Sequence, residues 1–170
     1  MILIVDANVF FSALISKGKT LRVLAINSVT ETFKLLAPEF LMEEIEEHKK
    51  EILSKSKLTL SDIEQVFQLL QREVKFISHS VFSEFLEEAK KISPPDDFPY
   101  VALALKVKSL GLKVAIWSND KELKEALKNK IDVLTTSEVF EILCGKYKNV
   151  GWKIFLEKEL KEFDKISIEF

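Results

Sequence analysis

The sequence predicts a layered α/β domain built around a mostly parallel central sheet. The first observation is an unbroken apolar run, Ile2–Val5, which is typical of a strand buried on both faces of a parallel sheet. The second is that four more short apolar segments follow, with helical patterns between them. Strands that alternate with helices indicate parallel pairing through helical crossovers. A chain of 170 residues is long enough for one domain with a single core.

Each element of this pattern has a local signal. Strands are predicted where short apolar runs are bounded by polar or turn-forming residues, and helices where apolar residues recur every three to four positions. Breaks are expected at Pro38, at the Pro94-Pro95 pair and at Gly111. The predicted strands are residues 2–5, 33–37, 74–77, 114–117 and 132–134. The predicted helices are residues 20–27, 39–53, 61–72, 80–90, 100–108, 121–127 and 137–143.

The composition excludes several protein classes. Hydrophobic residues make up 47% and charged residues 31% of the chain, which is typical of a soluble globular protein and not of a disordered one. A net charge of −2 argues against a strongly basic packaging protein, but a local basic face is compatible with it. Cys144 is the only cysteine, so no intrachain disulfide is expected. With no visible signal peptide and no apolar run of membrane-spanning length, a cytoplasmic protein without a membrane contact is expected.

Two predicted strands end in an aspartate. Asp6 directly follows the first strand, and Asp120 closes the polar cluster that follows the fourth, Val114–Trp117. In an open α/β sheet the carboxyl ends of the strands form the ligand crevice. Either aspartate alone could instead cap a turn or a helix. Because the arrangement occurs twice, it favours a functional site.

A third acidic candidate, Glu44, comes from the predicted helix 39–53, which Pro38 is expected to begin. An inward stripe with helical spacing contains Leu41, Ile45, His48 and Ile52. At about 100° per residue, Glu44 lies roughly 70° from the centre of this stripe, whereas the neighbouring glutamates lie more than about 120° away. Glu44 is therefore predicted at the edge of the buried face. His48 is interpreted as a packing or surface residue.

The fourth acidic segment follows two prolines. Asp96 and Asp97 precede an apolar helix in which small residues, such as Ala102 and Ala104, allow a close approach to the sheet. One acid would suffice to cap this helix. The second acid is therefore a candidate for chemistry.

Carboxylates gathered at one place repel each other unless they are protonated or neutralised by a cation. Mg²⁺ and Mn²⁺ prefer oxygen ligands, and no Cys/His spacing in the sequence offers a zinc site. A divalent ion at such a site can activate water and stabilise charge on a phosphate. The acids together suggest a metal-dependent nuclease.

These four segments, in this order, resemble those of PIN-domain proteins, and specifically the VapC-like ribonuclease family. The segments are Asp6-x-Asn8 after a strand, Pro38-x5-Glu44, Asp97-x-Pro-Tyr-Val-Ala-Leu-Ala, and Trp-Ser-Asn-Asp120. The match spans about residues 1–140. The resemblance implies a three-layer α/β/α sandwich with a parallel sheet, and a nuclease that uses Mg²⁺ or Mn²⁺ to hydrolyse RNA.

The resemblance also implies roles for individual residues. The catalytic and metal-binding quartet would be Asp6, Glu44, Asp97 and Asp120. Asp97 is preferred to Asp96 because it stands at the motif position, directly before x-Pro-Tyr. Asn119 would support substrate binding. Some relatives have an aspartate two residues after the fourth acid, where this chain has Glu122, so one metal site is better supported than two.

Contacts to the RNA backbone must come from cations. Lys17, Lys19 and Arg22 follow the first strand and are the first candidates, with Lys121 and Lys124 next. An RNA-cleaving toxin paired with an antitoxin protein and an RNA-processing factor are both compatible with the resemblance. The stretch 53–72, which compact toxins lack, weighs against the toxin role.

Three other functions fit the sequence less well. A HAD-type phosphatase requires a second aspartate two residues after Asp6, where this chain has Asn8, and a receiver domain requires a phosphoacceptor strand and a late lysine that are not evident. A catalytically inactive PIN-like module that binds RNA or a protein is the main alternative. Retention of all four acids argues against it.

Residues 1–144 are expected to form the nuclease domain, with residues 145–170 as an extension of the same domain. The extension is predicted to contain a helix over 152–163 and an edge strand over 166–170. Its apolar side chains fit either packing on the domain or the homodimer that the family resemblance favours; they are Trp152, Phe155, Leu156 and Phe163.

Overall fold

The structure, a computed structural model, describes residues 1–146, and its centre is a five-stranded sheet in which all strands are parallel. The strand order is β3-β2-β1-β4-β5. This confirms the predicted α/β class and parallel sheet. The strands are β1 (Ile2–Val5), β2 (Lys34–Pro38), β3 (Val74–Ile77), β4 (Val114–Trp117) and β5 (Asp132–Leu134).

Helices connect the strands and cover the sheet. Within the described residues they are α1 (Ala7–Ile15), α2 (Lys19–Thr30), α3 (Leu41–Glu47), α4 (Lys49–Lys55), α5 (Leu60–Glu73), α6 (Leu86–Ile92), α7 (Phe98–Ser109), α8 (Lys121–Ala126) and α9 (Thr136–Lys146). Helix α1 packs against α2, α3, α4 and α5, while α7 packs against β1, β2, β4 and α6. The result is a sheet between helical layers, in agreement with the sandwich that the sequence resemblance implied.

Helix α7 lies closest to the centre of the sheet. Ala102 and Ala104 are fully buried in it, and Pro99 stands in its first turn. Proline is favourable there because the first turn has amide groups without helical partners. The small side chains let α7 approach the central strands, as the sequence predicted, and this places the N-terminus of α7 beside the ends of β1 and β4.

Three local predictions were wrong. Pro38 does not begin a helix: it ends β2, and the amide of Glu39 still donates to the carbonyl of Ile77 on β3 at 3.0 Å. The predicted helix 39–53 is two helices, α3 and α4, that meet at His48. The predicted helix 80–90 begins as two 3₁₀ turns, His79–Val81 and Ser83–Phe85, because the buried Phe82 anchors the chain between them.

Helix α1 was not predicted at all. Its sequence, Ala-Asn-Val-Phe-Phe-Ser-Ala-Leu-Ile, is apolar on nearly every side and so has no clear amphipathic period. The structure explains this composition, since α1 contacts four other helices. A helix that is surrounded by protein needs no polar face.

No helix within residues 1–146 is both long and apolar enough to cross a membrane. The predicted helix 152–163, the predicted edge strand 166–170 and the apolar side chains of the extension lie outside the described residues.

Candidate active site

The acidic residues meet at the carboxyl edge of the sheet, between β1 and β4. The chain leaves β1 toward β2 on one side, and β4 pairs with β1 on the other, so this is the point where the strand order reverses. Open α/β sheets bind ligands at such a point. Asp6 directly follows β1, and Ser118, Asn119 and Asp120 directly follow β4.

Asp6 is the most buried of the candidate acids, with 3% of its surface exposed. Its Oδ2 accepts hydrogen bonds from Asn8 Nδ2 and from Ser118 Oγ, both at 2.5 Å. Burial raises the pKa of Asp6 above its ordinary value, and hydrogen bonds from the Ser118 side chain and from the backbone of Asn8 and Ala7 oppose this rise without cancelling it. Asn8 thus steadies Asp6 from two residues away.

Ser118 connects Asp6 to Asp120. Besides donating to Asp6, its hydroxyl oxygen accepts from Asn8 Nδ2 at 2.9 Å and from the amide of Asp120 at 3.0 Å. Oδ1 of Asp120 caps α8 by accepting from the amides of Glu122 and Leu123, at 2.7 and 3.2 Å. Asp120 is therefore a helix cap, and its second carboxylate oxygen, Oδ2, takes no part in that cap.

Asp97 stands at the start of α7 but does not cap it with its side chain. Desolvation is the largest cause that raises its pKa, to about 7, and the charges of Asp6 and Asp120 are the next largest. Asp96 is exposed and has a smaller effect on Asp97. Because the charges of Asp6 and Asp120 both act on Asp97, and that of Asp120 also acts on Asp6, the three carboxylates face a common region.

Glu44 approaches this region from α3. It is half-buried, whereas Glu43, Glu46 and Glu47 are exposed, as the helical geometry predicted. Its Oε2 accepts a 2.8 Å hydrogen bond from the hydroxyl of Tyr100. Burial raises the pKa of Glu44, the Tyr100 hydrogen bond opposes that rise, and the charge of Asp6 adds to it. His48 does not lie on the inward stripe, but it is a surface residue, as one of the two interpretations had it: its side chain is 53% exposed and pairs with Glu51.

The carboxylates do not form a finished metal cage. Among the described residues, no group of three or more Asp, Glu, His or Cys side chains is arranged closely enough to surround one ion. The donor set nevertheless fits a hard divalent cation, because it supplies oxygen ligands only. Burial raises the pKa values of Asp6, Glu44 and Asp97, and repulsion from neighbouring acids adds to the rise; a bound cation would oppose both effects.

Most of the predicted RNA-binding cations already have partners. Lys17 lies 3.8 Å from Asp62, Lys19 donates to Ser137 at 3.2 Å, and Lys124 donates to both carboxylate oxygens of Glu138. Arg22 is exposed on α2. Lys121 is exposed at the first position of α8, directly after Asp120. Of the five candidates, Lys121 is the one that directly follows a residue of the acidic site in the sequence.

Asn119 is held by Thr136. The side-chain Nδ2 of Asn119 donates to Thr136 Oγ1 at 3.1 Å, and its Oδ1 accepts from the Thr136 amide at 2.9 Å. Trp117 Nε1 donates to the same threonine oxygen at 3.1 Å. Because both polar atoms of its amide are engaged, Asn119 is suited to fixing the loop after β4, whereas its predicted contact with substrate stays a prediction.

Three residues of the site carried no role in the sequence analysis: Ser118, Tyr100 and Thr136. Ser118 and Tyr100 lie inside the acidic segments, so their position beside Asp120 and Asp97 was a usable signal. Thr136 had no such signal, because its contacts to Trp117 and Asn119 depend on the pairing of β4 with β5.

Comparison with known proteins adds one finding to this geometry. A family model described as "PIN domain" matches residues 4–144, which includes both Asp6 and the loop after β4. No curated protein matches the chain.

Proposed function

The chain belongs to the PIN-domain family, and from that premise we propose that it is a divalent-metal-dependent ribonuclease that hydrolyses RNA phosphodiester bonds. The observation that carries the proposal is the convergence of Asp6, Asp97 and Asp120 at the strand-order reversal, where burial, and next the charges of Asp6 and Asp120, raise the pKa of Asp97 to about 7. Family membership supports a nuclease in general. The RNA substrate and the residue roles are our proposal.

Asp6, Asp97 and Asp120 would hold one Mg²⁺ or Mn²⁺, and Glu44 would bind it through water or orient the attacking water. When bound, the cation offsets the charge of the acids and of the substrate phosphate and activates water for attack. The protein residues supply the positioning. Asn8 and Ser118 fix the Asp6 carboxylate, and Tyr100 fixes Glu44.

Binding of the RNA backbone requires cations beside this acidic site. Lys121 is proposed as a phosphate contact because it is exposed and follows Asp120 directly. Lys17, Lys19 and Arg22 form a second candidate group at the α1–α2 connection and the start of α2. Contacts of this kind contribute to affinity for RNA in general and not to sequence preference.

The biological setting follows from the same proposal. Both a toxin inhibited by an antitoxin protein and an RNA-processing factor are consistent with a PIN-domain ribonuclease, and a homodimer is the proposed assembly. A gene for a small antitoxin beside this one would favour the toxin role. The α5 helix, which fills most of the stretch 53–72, favours a processing factor.

The proposal is tested by incubating the purified protein with mixed single-stranded and structured RNA and with Mg²⁺ or Mn²⁺. Cleavage is expected for the wild type and for Asp132→Asn, a matched control at the opposite, amino-terminal end of β5. Cleavage is expected to disappear in Asp97→Asn and with a chelator. A folded wild-type protein that binds RNA or a protein but never cleaves would favour the inactive binding module instead.

A further inference from the structure

A cavity of about 520 Å³ opens beside the acidic site on the β2–β3 side. It is bounded by the end of β2, by α3, by the first 3₁₀ turn, by α6 and by the start of α7. Glu44 lines this cavity and also belongs to the acidic site, so the two spaces are adjacent. Its volume falls within the roughly 300–1,000 Å³ that small-molecule sites occupy.

The walls of the cavity combine flat apolar surfaces with hydrogen-bond acceptors. Phe40, Phe82 and Phe98 line it, together with Leu86 and two prolines. The acceptors are carboxylates: Glu39, Glu43, Glu44 and Asp96. An ionised carboxylate accepts hydrogen bonds but cannot donate them. The occupant must therefore present an apolar face and polar N–H groups.

The charge of the lining excludes a phosphate. Among the described residues that line the cavity, His79 is the only one that can carry a positive charge, against four carboxylates. A phosphodiester backbone would be repelled from such a space. A nucleobase carries no charge, stacks on aromatic side chains and displays N–H groups along its edge.

Two of these acceptors, Glu39 and Glu44, are also held in place. Oε1 of Glu39 accepts from Ser78 Oγ at 2.9 Å and from the amide of His79 at 3.3 Å. Phe40 packs edge-on against Tyr100, which in turn bonds Glu44. Direct contacts through Phe40 and Tyr100 thus connect the cavity wall to Glu44 of the acidic site.

We propose that this cavity binds one unstacked nucleobase of the RNA, next to the phosphate that is cleaved, and that Glu39 and Glu43 select bases with an exocyclic amino group. The inference rests on the proposed ribonuclease function, whose substrate it restricts to single-stranded or bulged RNA. Adenine, cytosine and guanine each carry such an amino group and can present it to a carboxylate. Uracil presents a carbonyl oxygen at the corresponding position, which a carboxylate repels.

Nucleosides test the cavity without any cleavage. Adenosine, cytidine and uridine are titrated into the wild-type protein with a chelator present, while the NMR signals of Phe40, Phe82 and Phe98 are followed. Adenosine and cytidine are expected to shift these signals and to bind about tenfold or more tightly than uridine. In Glu43→Gln the preference over uridine should shrink to about threefold or less, because the amide can also donate. Glu46→Gln, exposed on the same helix, is the matched control.

A second measurement separates this inference from the proposed function. The product ends of wild-type RNA cleavage are sequenced, and cuts are expected beside adenosine or cytidine more often than beside uridine. Nucleoside binding without RNA cleavage would refute the ribonuclease and leave the cavity as a nucleobase site. Cleavage without any nucleoside preference would refute the cavity proposal alone. Tighter binding of a short arginine-rich peptide than of any nucleoside, weakened by Glu43→Gln, would assign the cavity to a basic protein segment instead.

Discussion

The hydroxyl of Tyr100 donates a 2.8 Å hydrogen bond to Oε2 of Glu44, which joins the first turn of α7 to α3. Tyr100 is only 1% exposed, so its end of this contact is shielded from water, whereas Glu44 is half-buried. Burial and the Glu44 carboxylate both raise the pKa of Tyr100, so the phenol stays protonated and remains a donor. The position of Glu44 in the site is therefore set by a residue from another helix.

Tyr100→Phe should remove this donor and leave the ring in place. We expect a loss of about 1 kcal/mol in the free energy of unfolding, as for one buried hydrogen bond. We also expect kcat to fall about tenfold, because Glu44 loses its fixed orientation. Urea denaturation and RNA cleavage under saturating Mn²⁺ measure the two effects. A wild-type kcat in this variant would show that Glu44 does not require the tyrosine.

Asp97→Asn should stabilise the protein when no divalent ion is present. The pKa of Asp97 is about 7 in the folded protein and about 3.8 in the ordinary case, so the folded state binds the proton more tightly. Its stabilising contribution is full below pH 3.8 and is lost as the pH rises through 7. At pH 8 the free energy of unfolding of Asp97→Asn should therefore exceed that of the wild type by about 1–3 kcal/mol. This value is reduced to allow for the partial exposure of the side chain.

The pH dependence is the control for this effect. With a chelator present, the stability difference between Asp97→Asn and wild type should shrink toward zero as the pH falls below 3.8, the ordinary pKa of aspartate. Denaturant unfolding at a series of pH values measures it. A destabilised Asp97→Asn protein at pH 8 would contradict the charge repulsion described for the site.

Mg²⁺ or Mn²⁺ should stabilise the wild-type protein against heat, because a ligand that binds only the folded state adds to its stability. At about one hundred times the dissociation constant, the gain is about 2.7 kcal/mol. Asp97→Asn should show a much smaller rise in Tm over the same titration. A monovalent salt of equal ionic strength separates specific binding from screening. An equal rise for wild type and variant would contradict the assignment of Asp97 as a ligand.

The strands were predictable because each is a short apolar run that stops abruptly, and four of the five have the predicted bounds. The position of Glu44 at the edge of the buried face was also predictable, because helical angles alone decide it. Helix α1 was not, since its burial on nearly all sides removes the amphipathic signal. The break at His48 likewise depends on how α3 and α4 pack, which no local pattern records.

The candidate site was predictable only in part for a similar reason. Individual acids could be located from strand ends, but their coupling depends on which strands are neighbours. The hydroxyl of Ser118 shows this dependence most directly. It bonds Asp6 across 112 positions of sequence, and only the pairing of β1 with β4 brings the two together.

Ser118→Ala should therefore affect both stability and the titration of Asp6. Ser118 is fully buried, and its removal leaves the amide of Asp120 without its side-chain acceptor and the Asp6 carboxylate without one of its donors. We expect the free energy of unfolding to fall by about 1–3 kcal/mol, because these polar groups are left unsatisfied. Because the Ser118 hydrogen bond lowers the pKa of Asp6, that pKa should rise further in the variant. The acidic limb of the cleavage rate against pH should then move to higher pH.

Ser118→Thr keeps the hydroxyl and should retain the wild-type profile, whereas Ser83→Ala, at an exposed position, controls for loss of a serine. An unchanged pH profile of cleavage in Ser118→Ala would show that the ionisation of Asp6 does not limit the cleavage rate.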